Sequence, residues 1–262
     1  MKLVDVHCHL DKQFYKTDMD EVIERARKNN VKAIVTAGIN PETNRHFLKL
    51  KEKHPDIIFP TLGIYPPDAL AKETEDSEYD INPDFDVDKE IEFIYENRSR
   101  IYGIGEVGMD FKNGTDFILQ EKTFRKMIDL AIKIDKPLVI HSRKAEEKVI
   151  NILEEYNYKK IIMHCFCGNH TLVRKVRENQ WMFSVPASIV RDEHFQKMIK
   201  ETPLHLILTE TDSPFLSPYK DQKNEPSFVI ETIKTISKLR NLSEDDVANI
   251  IFKNAKRIFG FR

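Results

Sequence analysis

Residues 137–166 read PLVIHSRKAEEKVINILEEYNYKKIIMHCF: an apolar run closed by His141, a longer mixed stretch, and a second apolar run closed by His164. The two short β-branched runs predict buried strands, and the apolar spacing over Ala145–Tyr156 predicts an amphipathic helix between them. Strand, helix and strand in that order form a βαβ unit, which joins parallel strands. Outward from it the same alternation continues to both ends of the chain. The predicted strands are Lys2–His9, Lys32–Gly38, Ile57–Tyr65, Ile101–Gly108, Pro137–Arg143, Lys160–Phe166, Trp181–Ala187 and His205–Asp212. The predicted helices are Asp18–Asn29, Pro41–Lys53, Asp88–Arg98, Asp116–Ile134, Ala145–Tyr156, Thr171–Asn179, Asp192–Glu201 and Pro226–Leu239. Eight βα units without a Gly/Ser-rich or Pro-rich linker predict an α/β fold, a (β/α)8 TIM barrel in one domain over residues 1–262. An additional C-terminal helix, Ser243–Ile258, opens on a capping-box pattern at Ser243 and Asp246 and is expected to pack across the barrel.

Composition narrows the function classes. With 41 Lys+Arg against 43 Asp+Glu in 262 residues, the formal charge of −2 disfavours broad adhesion to nucleic acid or acidic membrane. A chain that is 40% hydrophobic and 32% charged, with 8 Gly and 12 Pro, is neither disordered nor collagen-like. No stretch approaches the roughly 20 apolar residues of a membrane span, and the start leads into a charged strand, so a cytoplasmic protein is expected. Cys8, Cys165 and Cys167 are odd in number and lack CxxC spacing, which argues against a disulfide framework. Between Asp68 and Glu90 ten acidic residues face two basic ones, which reads as a long solvated loop leading into a helix.

Side chains alternate along a strand, so Asp5, His7 and His9 share one side and Val6, Cys8 and Leu10 the other. One HxH is modest evidence, because histidines at strand ends are often only hydrogen-bonded. The same anomaly recurs, however, at Glu106, His141, His164 and Asp212, each closing an apolar run. A TIM barrel carries its chemistry at those strand ends, and burying four imidazoles and two carboxylates there is costly unless they are paired or bind metal. Six N/O ligands exceed the needs of one closed tetrahedral ion and suit two cations about 3.5–4 Å apart. Gly103–Gly108 also satisfies GxGxxG, but its glycines lie within a strand rather than at a turn into a helix, so a dinucleotide site is rejected. Cys165 and Cys167, beside His164, could be soft zinc ligands, but Cys165 should point away from His164 on the strand, so both read as small buried residues; His46, His54, His170, His194 and His205 read as surface residues.

These residues resemble the TatD family of metal-dependent deoxyribonucleases within the amidohydrolase superfamily. The matching motifs are Asp-Val-His-Cys-His-Leu at 5–10, Gly-Glu-Val-Gly-Met-Asp at 105–110, His-Ser-Arg at 141–143, His-Cys-Phe-Cys-Gly at 164–168 and Glu-Thr-Asp-Ser-Pro at 210–214. Asn-Glu-Pro at 224–226 and the terminal Asn254 to Phe259 match as well. The resemblance implies that His7, His9 and Asp212 serve one metal, His141 and His164 a second, and that Glu106 bridges both. It implies hydrolysis of phosphodiesters, with DNA that is single-stranded or has free ends as substrate. The family's Gly-x-His-Pro after strand three is Gly63-Ile64-Tyr65-Pro66 here, so Tyr65 stands where the family has a substrate-contacting His.

On this reading Asp212 accepts the proton of the attacking water, and Arg143, two residues past His141 on the same strand parity, grips a phosphate oxygen or forms a rim salt bridge. Lys112, Lys144, Arg191, Lys220 and Lys223 follow other strands and either line a path for phosphates or simply solvate the surface. Phe166 and Tyr65 could stack bases, with core packing the default for both. The metals could be Mg, Mn, Zn or Ni. Two other functions compete: an esterase or deacylase using the same site, and a catalytically decayed metal-binding module. Nothing in the sequence calls for an obligate protein partner.

Overall fold

The computed structural model describes residues 1–70 and 85–261. Among them, eight strands run in the order β1 Leu3–Cys8, β2 Val31–Ala37, β3 Ile58–Leu62, β4 Gly103–Gly108, β5 Leu138–His141, β6 Ile161–His164, β7 Met182–Val185 and β8 Ile207–Thr209. Each pairs in parallel with the next, so the sheet order equals the chain order. Helices alternate with them: α1 Met19–Lys28, α2 Pro41–Lys53, α3 Val87–Glu96, α4 Phe117–Ile134, α5 Glu146–Glu155, α6 His170–Glu178, α7 Glu193–Glu201 and α8 Val229–Arg240. This is a nearly closed TIM barrel, as the spacing predicts. The extra helix, α9 Glu244–Phe259, is also present, and Ser243 accepts the Asp246 amide at its N-terminus.

The strands are buried along almost their whole length, which is why their sequences read as continuous apolar runs rather than alternating ones. α9 packs on β1 and β8, and its Asn254 Nδ2 donates to the carbonyls of Leu204 and Ile207 at the entry to β8. It therefore braces the strand starts, at the end of the barrel away from His7 and His164.

Side-chain and main-chain hydrogen bonds close the seam between β8 and β1. Thr209 Oγ1 donates to the Val4 carbonyl, the Thr211 amide and hydroxyl to the Asp5 carboxylate, the Asp212 amide to the His7 carbonyl, and the His9 amide to the Ser213 carbonyl. β8 consequently ends at Thr209, three residues before the predicted end, because the following backbone turns to serve β1 and Asp212 takes φ 55°. Two glycines let β4 approach β5 closely. A Cβ on Gly108, at φ 147°, would lie 1.9 Å from the His141 carbonyl oxygen, and one on Gly105, at φ 157°, 2.7 Å from Val139 Cβ.

The acidic segment departs from a uniformly solvated loop where it is described. The Asp68 carboxylate accepts the amides of Thr115 and Asp116 at the start of α4, and Asp86 caps α3. Glu90 is 2% exposed and holds Arg45 and Asn44. Residues 71–84, the middle of that segment, lie outside the described residues.

Candidate metal centre

At the C-terminal ends of the strands the structure brings His7, His9, Glu106, His141, His164 and Asp212 together. His7 Nε2 and His9 Nε2 lie 3.2 Å apart. Glu106 Oε2 is 3.4 Å from each, and Asp212 Oδ1 is 3.6 Å from His7 Nε2 and 3.4 Å from His9 Nε2. The other Glu106 oxygen, Oε1, faces His141 Nδ1 at 2.7 Å and His164 Nε2 at 3.9 Å. Asp212 Oδ1 also stands 3.9 Å from His164 Nε2. One carboxylate thus turns its two oxygens to two different sets of imidazoles.

The first set fits a cation. Ligand atoms about 2.0–2.1 Å from a common centre in a tetrahedral array lie about 3.3–3.4 Å from one another, and the five separations that join the two imidazole nitrogens to each other and to the two carboxylate oxygens run from 3.2 to 3.6 Å. Glu106 with His141 and His164 forms a second group whose ligand atoms lie within 4.8 Å of one another. Imidazoles and carboxylates together suit first-row divalent ions and Mg²⁺ alike.

The far sides of the imidazoles are held by carboxylates. His164 Nδ1 lies 2.9 Å from Glu210 Oε2, whose other oxygen accepts the Cys165 amide. His141 Nε2 lies 3.1 Å from Asp110 Oδ2, which also accepts the Tyr65 hydroxyl at 2.9 Å. Such partners fix ring orientation and raise ligand basicity. Sequence reasoning missed Glu210 and Asp110 as participants although both stand inside the quoted motifs. The available signal was numerical, since each buried imidazole needs an acceptor for its second nitrogen.

The electrostatics of the bare side chains ask for positive charge. Burial pushes His9, His141 and His164 down, yet the facing carboxylates outweigh it and raise them to about 9, 10 and 9. Burial alone would raise Glu106, but its bonds to His141 and His7 hold it well below the usual carboxylate range. Asp212 is lowered too, the charge of His164 and the bond to His9 overcoming burial. Protons thus favour His9, His141 and His164, whereas burial and the neighbouring His164 lower His7.

Other predicted residues land differently. Arg143 lies in the exposed turn beyond β5, so strand alternation does not aim it, and its carbonyl accepts the Phe111 amide. Tyr65 is 4% exposed and reaches the site through its hydroxyl, 3.1 Å from His141 Nε2, rather than through an open ring face. Phe166 is fully buried against Phe183 and offers no face to a base. Cys165 is half-buried and Cys167 exposed, not small buried residues, because the chain leaves β6 at His164 and Cys165 takes φ 41°. Of the five histidines read as surface residues, His205 is exposed, whereas His46, His54, His170 and His194 are half-buried. The residues of Gly103–Gly108 are all in β4, with no helix opening from them.

Comparison with known proteins supplies the family. The model of TatD related DNases matches residues 4–260. The chain belongs to the TatD family. An uncharacterized metal-dependent hydrolase of Methanocaldococcus jannaschii is 34% identical, the match covering 99% of this chain and 97% of that protein. The human deoxyribonuclease TATDN3 is 32% identical over 98% of this chain and 94% of its own length. The TatD homologue YjjV of Escherichia coli superposes with a TM-score of 0.84 at 21% identity, covering 99% and 98% of the two chains, which supports the barrel fold. This TatD protein is accordingly a metal-dependent hydrolase. Among its described residues no helix is long and apolar enough to cross a membrane.

Proposed function

We propose that this TatD protein is a two-metal phosphodiesterase acting on DNA that is single-stranded or has free ends. The observation that carries the reading is Glu106, with Oε2 toward His7 and His9 and Oε1 toward His141 and His164. The deoxyribonuclease name of the human relative supports the choice of substrate. His7, His9 and Asp212 would hold one divalent ion and His141 and His164 the other, with Glu106 shared; Mg, Mn, Zn and Ni all suit these donors. Such ions, when bound, lower the pKa of a water toward neutrality and polarise a phosphoryl oxygen.

The protein's own groups complete the chemistry. Asp212, a carboxylate at neutral pH, reaches the imidazoles of both sets and so stands where it can take the proton of the attacking water and pass it to the leaving oxygen. Arg143, in the turn after β5, can grip a non-bridging phosphate oxygen bidentately. Lys112, Lys144, Arg191, Lys220 and Lys223 are exposed in the loops after β4, β5, β7 and β8, on the same face, and supply a local cationic path on a near-neutral chain. Glu210 and Asp110 hold His164 and His141 at their second nitrogens.

Glu210→Gln keeps the shape of that support but removes its charge, so metal affinity is expected to fall about 10–100-fold in a metal titration, with the barrel intact by circular dichroism. Tyr65 shares Asp110 with His141, so Tyr65→Phe should cost one hydrogen bond, about 0.5–1.5 kcal/mol, or roughly two- to thirteenfold in kcat/KM. Tyr65→His should add a pH dependence near the imidazole pKa of about 6.5. The reading as a whole is tested by one panel of protein loaded with each of four metals against single-stranded DNA, duplex DNA, RNA and simple esters. Metal-dependent cleavage of DNA that chelator abolishes is expected. Turnover of esters with all nucleic acids untouched would contradict it.

A further inference from the structure

The loop after β8 presents an aromatic ring beside the metal centre that no step above uses. Phe215 is 43% exposed, yet its ring centroid lies 6.1 Å from that of His9. Phe14 braces it edge-to-face at 5.4 Å. Its backbone is pinned, the amide donating to the Asp212 carbonyl and the carbonyl accepting from Asn224 Nδ2. Two residues on, Arg191 from the loop after β7 donates to the Ser217 carbonyl. The next apolar side chains of the same loop, Leu216 and Tyr219, are 36% and 40% exposed.

An exposed apolar side chain on a mobile loop can fold away from water, but one on a backbone pinned from several directions keeps its face presented. Exposed apolar patches of this kind mark binding surfaces. The position says what must lie there. Whatever joins the phosphate held at His7 and His9 is directly beside Phe215, and in a nucleic acid that is a nucleoside. Every base has a π-face that an aromatic ring can stack on without regard to sequence, while a duplex keeps those faces covered. Tyr65 and Phe166, two aromatics at the ends of other strands, are buried and unable to do this. Lys220, exposed in the same loop, can meet the sugar-phosphate backbone as the ring meets the base.

We propose that Phe215 is a stacking platform for the nucleobase that flanks the cleaved phosphate, so that this site selects unpaired strands. The proposal rests on the phosphodiesterase reading for its substrate. Steady-state kinetics of the metal-loaded wild type, Phe215→Ala and Phe215→Trp on single-stranded oligonucleotides test it, with a second oligonucleotide set carrying one abasic residue moved stepwise along the strand. Stacking on an aromatic ring is worth roughly tenfold in affinity per base. Phe215→Ala should therefore raise KM roughly tenfold with kcat little changed, and Phe215→Trp should keep the wild-type KM. With the abasic residue at one position along the strand, wild type and Phe215→Ala should become alike, because the ring has lost its partner.

A Phe215→Ala KM within twofold of wild type, or an equal penalty at every abasic position, would overturn the platform while leaving the nuclease reading in place. If the wild type cleaves no nucleic acid, the platform is read from indole emission of metal-loaded Phe215→Trp titrated with thymidine 5′-monophosphate, against the constant background of buried Trp181. Saturable quenching then supports the base site although the phosphodiesterase reading has failed. Unchanged emission overturns both.

Discussion

Glu106→Gln is expected to leave the barrel folded, cut the metal content from about two ions per chain to one or fewer, and lower turnover by at least about a thousandfold. The side chain is 3% exposed and faces His7, His9, His141 and His164, so no other residue can take over its charge from the same point. Glutamine preserves the volume but offers one neutral oxygen where two charged ones served both sets. Losing one cation of a pair forfeits several kcal/mol of transition-state charge stabilisation, which sets the size of the effect. Elemental analysis after reconstitution, with near-UV circular dichroism as the fold control, reads both halves of the expectation. A variant that keeps two ions and near wild-type rates would remove Glu106 as the bridge.

Asp212→Asn should lower kcat by at least roughly a hundredfold at saturating metal. General acid–base groups typically contribute 10²–10⁴-fold, and the amide cannot take a proton from water at neutral pH. Asparagine retains one oxygen that can face His7 and His9, so metal content should fall less than in Glu106→Gln. The local backbone supports a clean reading. The Asp212 amide bonds to the His7 carbonyl, and Asn is among the side chains that tolerate its φ of 55°. Wild-type rates at saturating metal would exclude Asp212 from proton transfer.

The barrel was legible because parallel strands covered on both faces write themselves as short apolar runs, and the runs at 138–141 and 161–164 bracket a helix in one continuous stretch. Polar residues closing those runs then marked the barrel mouth. What could not be read came from contacts between residues distant in the chain. β8 stops at Thr209 because the segment after it bonds to β1, more than 200 residues away. His46, with a surface-like helical context, turns Nε2 to the Leu10 carbonyl 36 residues earlier and is half-buried. Arg143 shares parity with His141 only if the strand continues, and it ends at His141.

The same limit governs the site. His7 and His9, two residues apart, were readable as a pair from alternation alone. The pairing of His164 with Glu210 spans 46 residues and that of His141 with Asp110 spans 31, so only the assembled barrel shows which carboxylate supports which imidazole. Phe215 likewise gains meaning only from its 6.1 Å approach to His9, on the far side of the chain's closure.

The measurement that bears most directly on the account is the metal stoichiometry of the purified chain after chelation and reconstitution with Mn²⁺ or Zn²⁺. Two imidazole sets sharing Glu106 predict about two ions per chain by elemental analysis. Saturation at fewer than one ion per chain would contradict the paired centre on which the proposed chemistry depends.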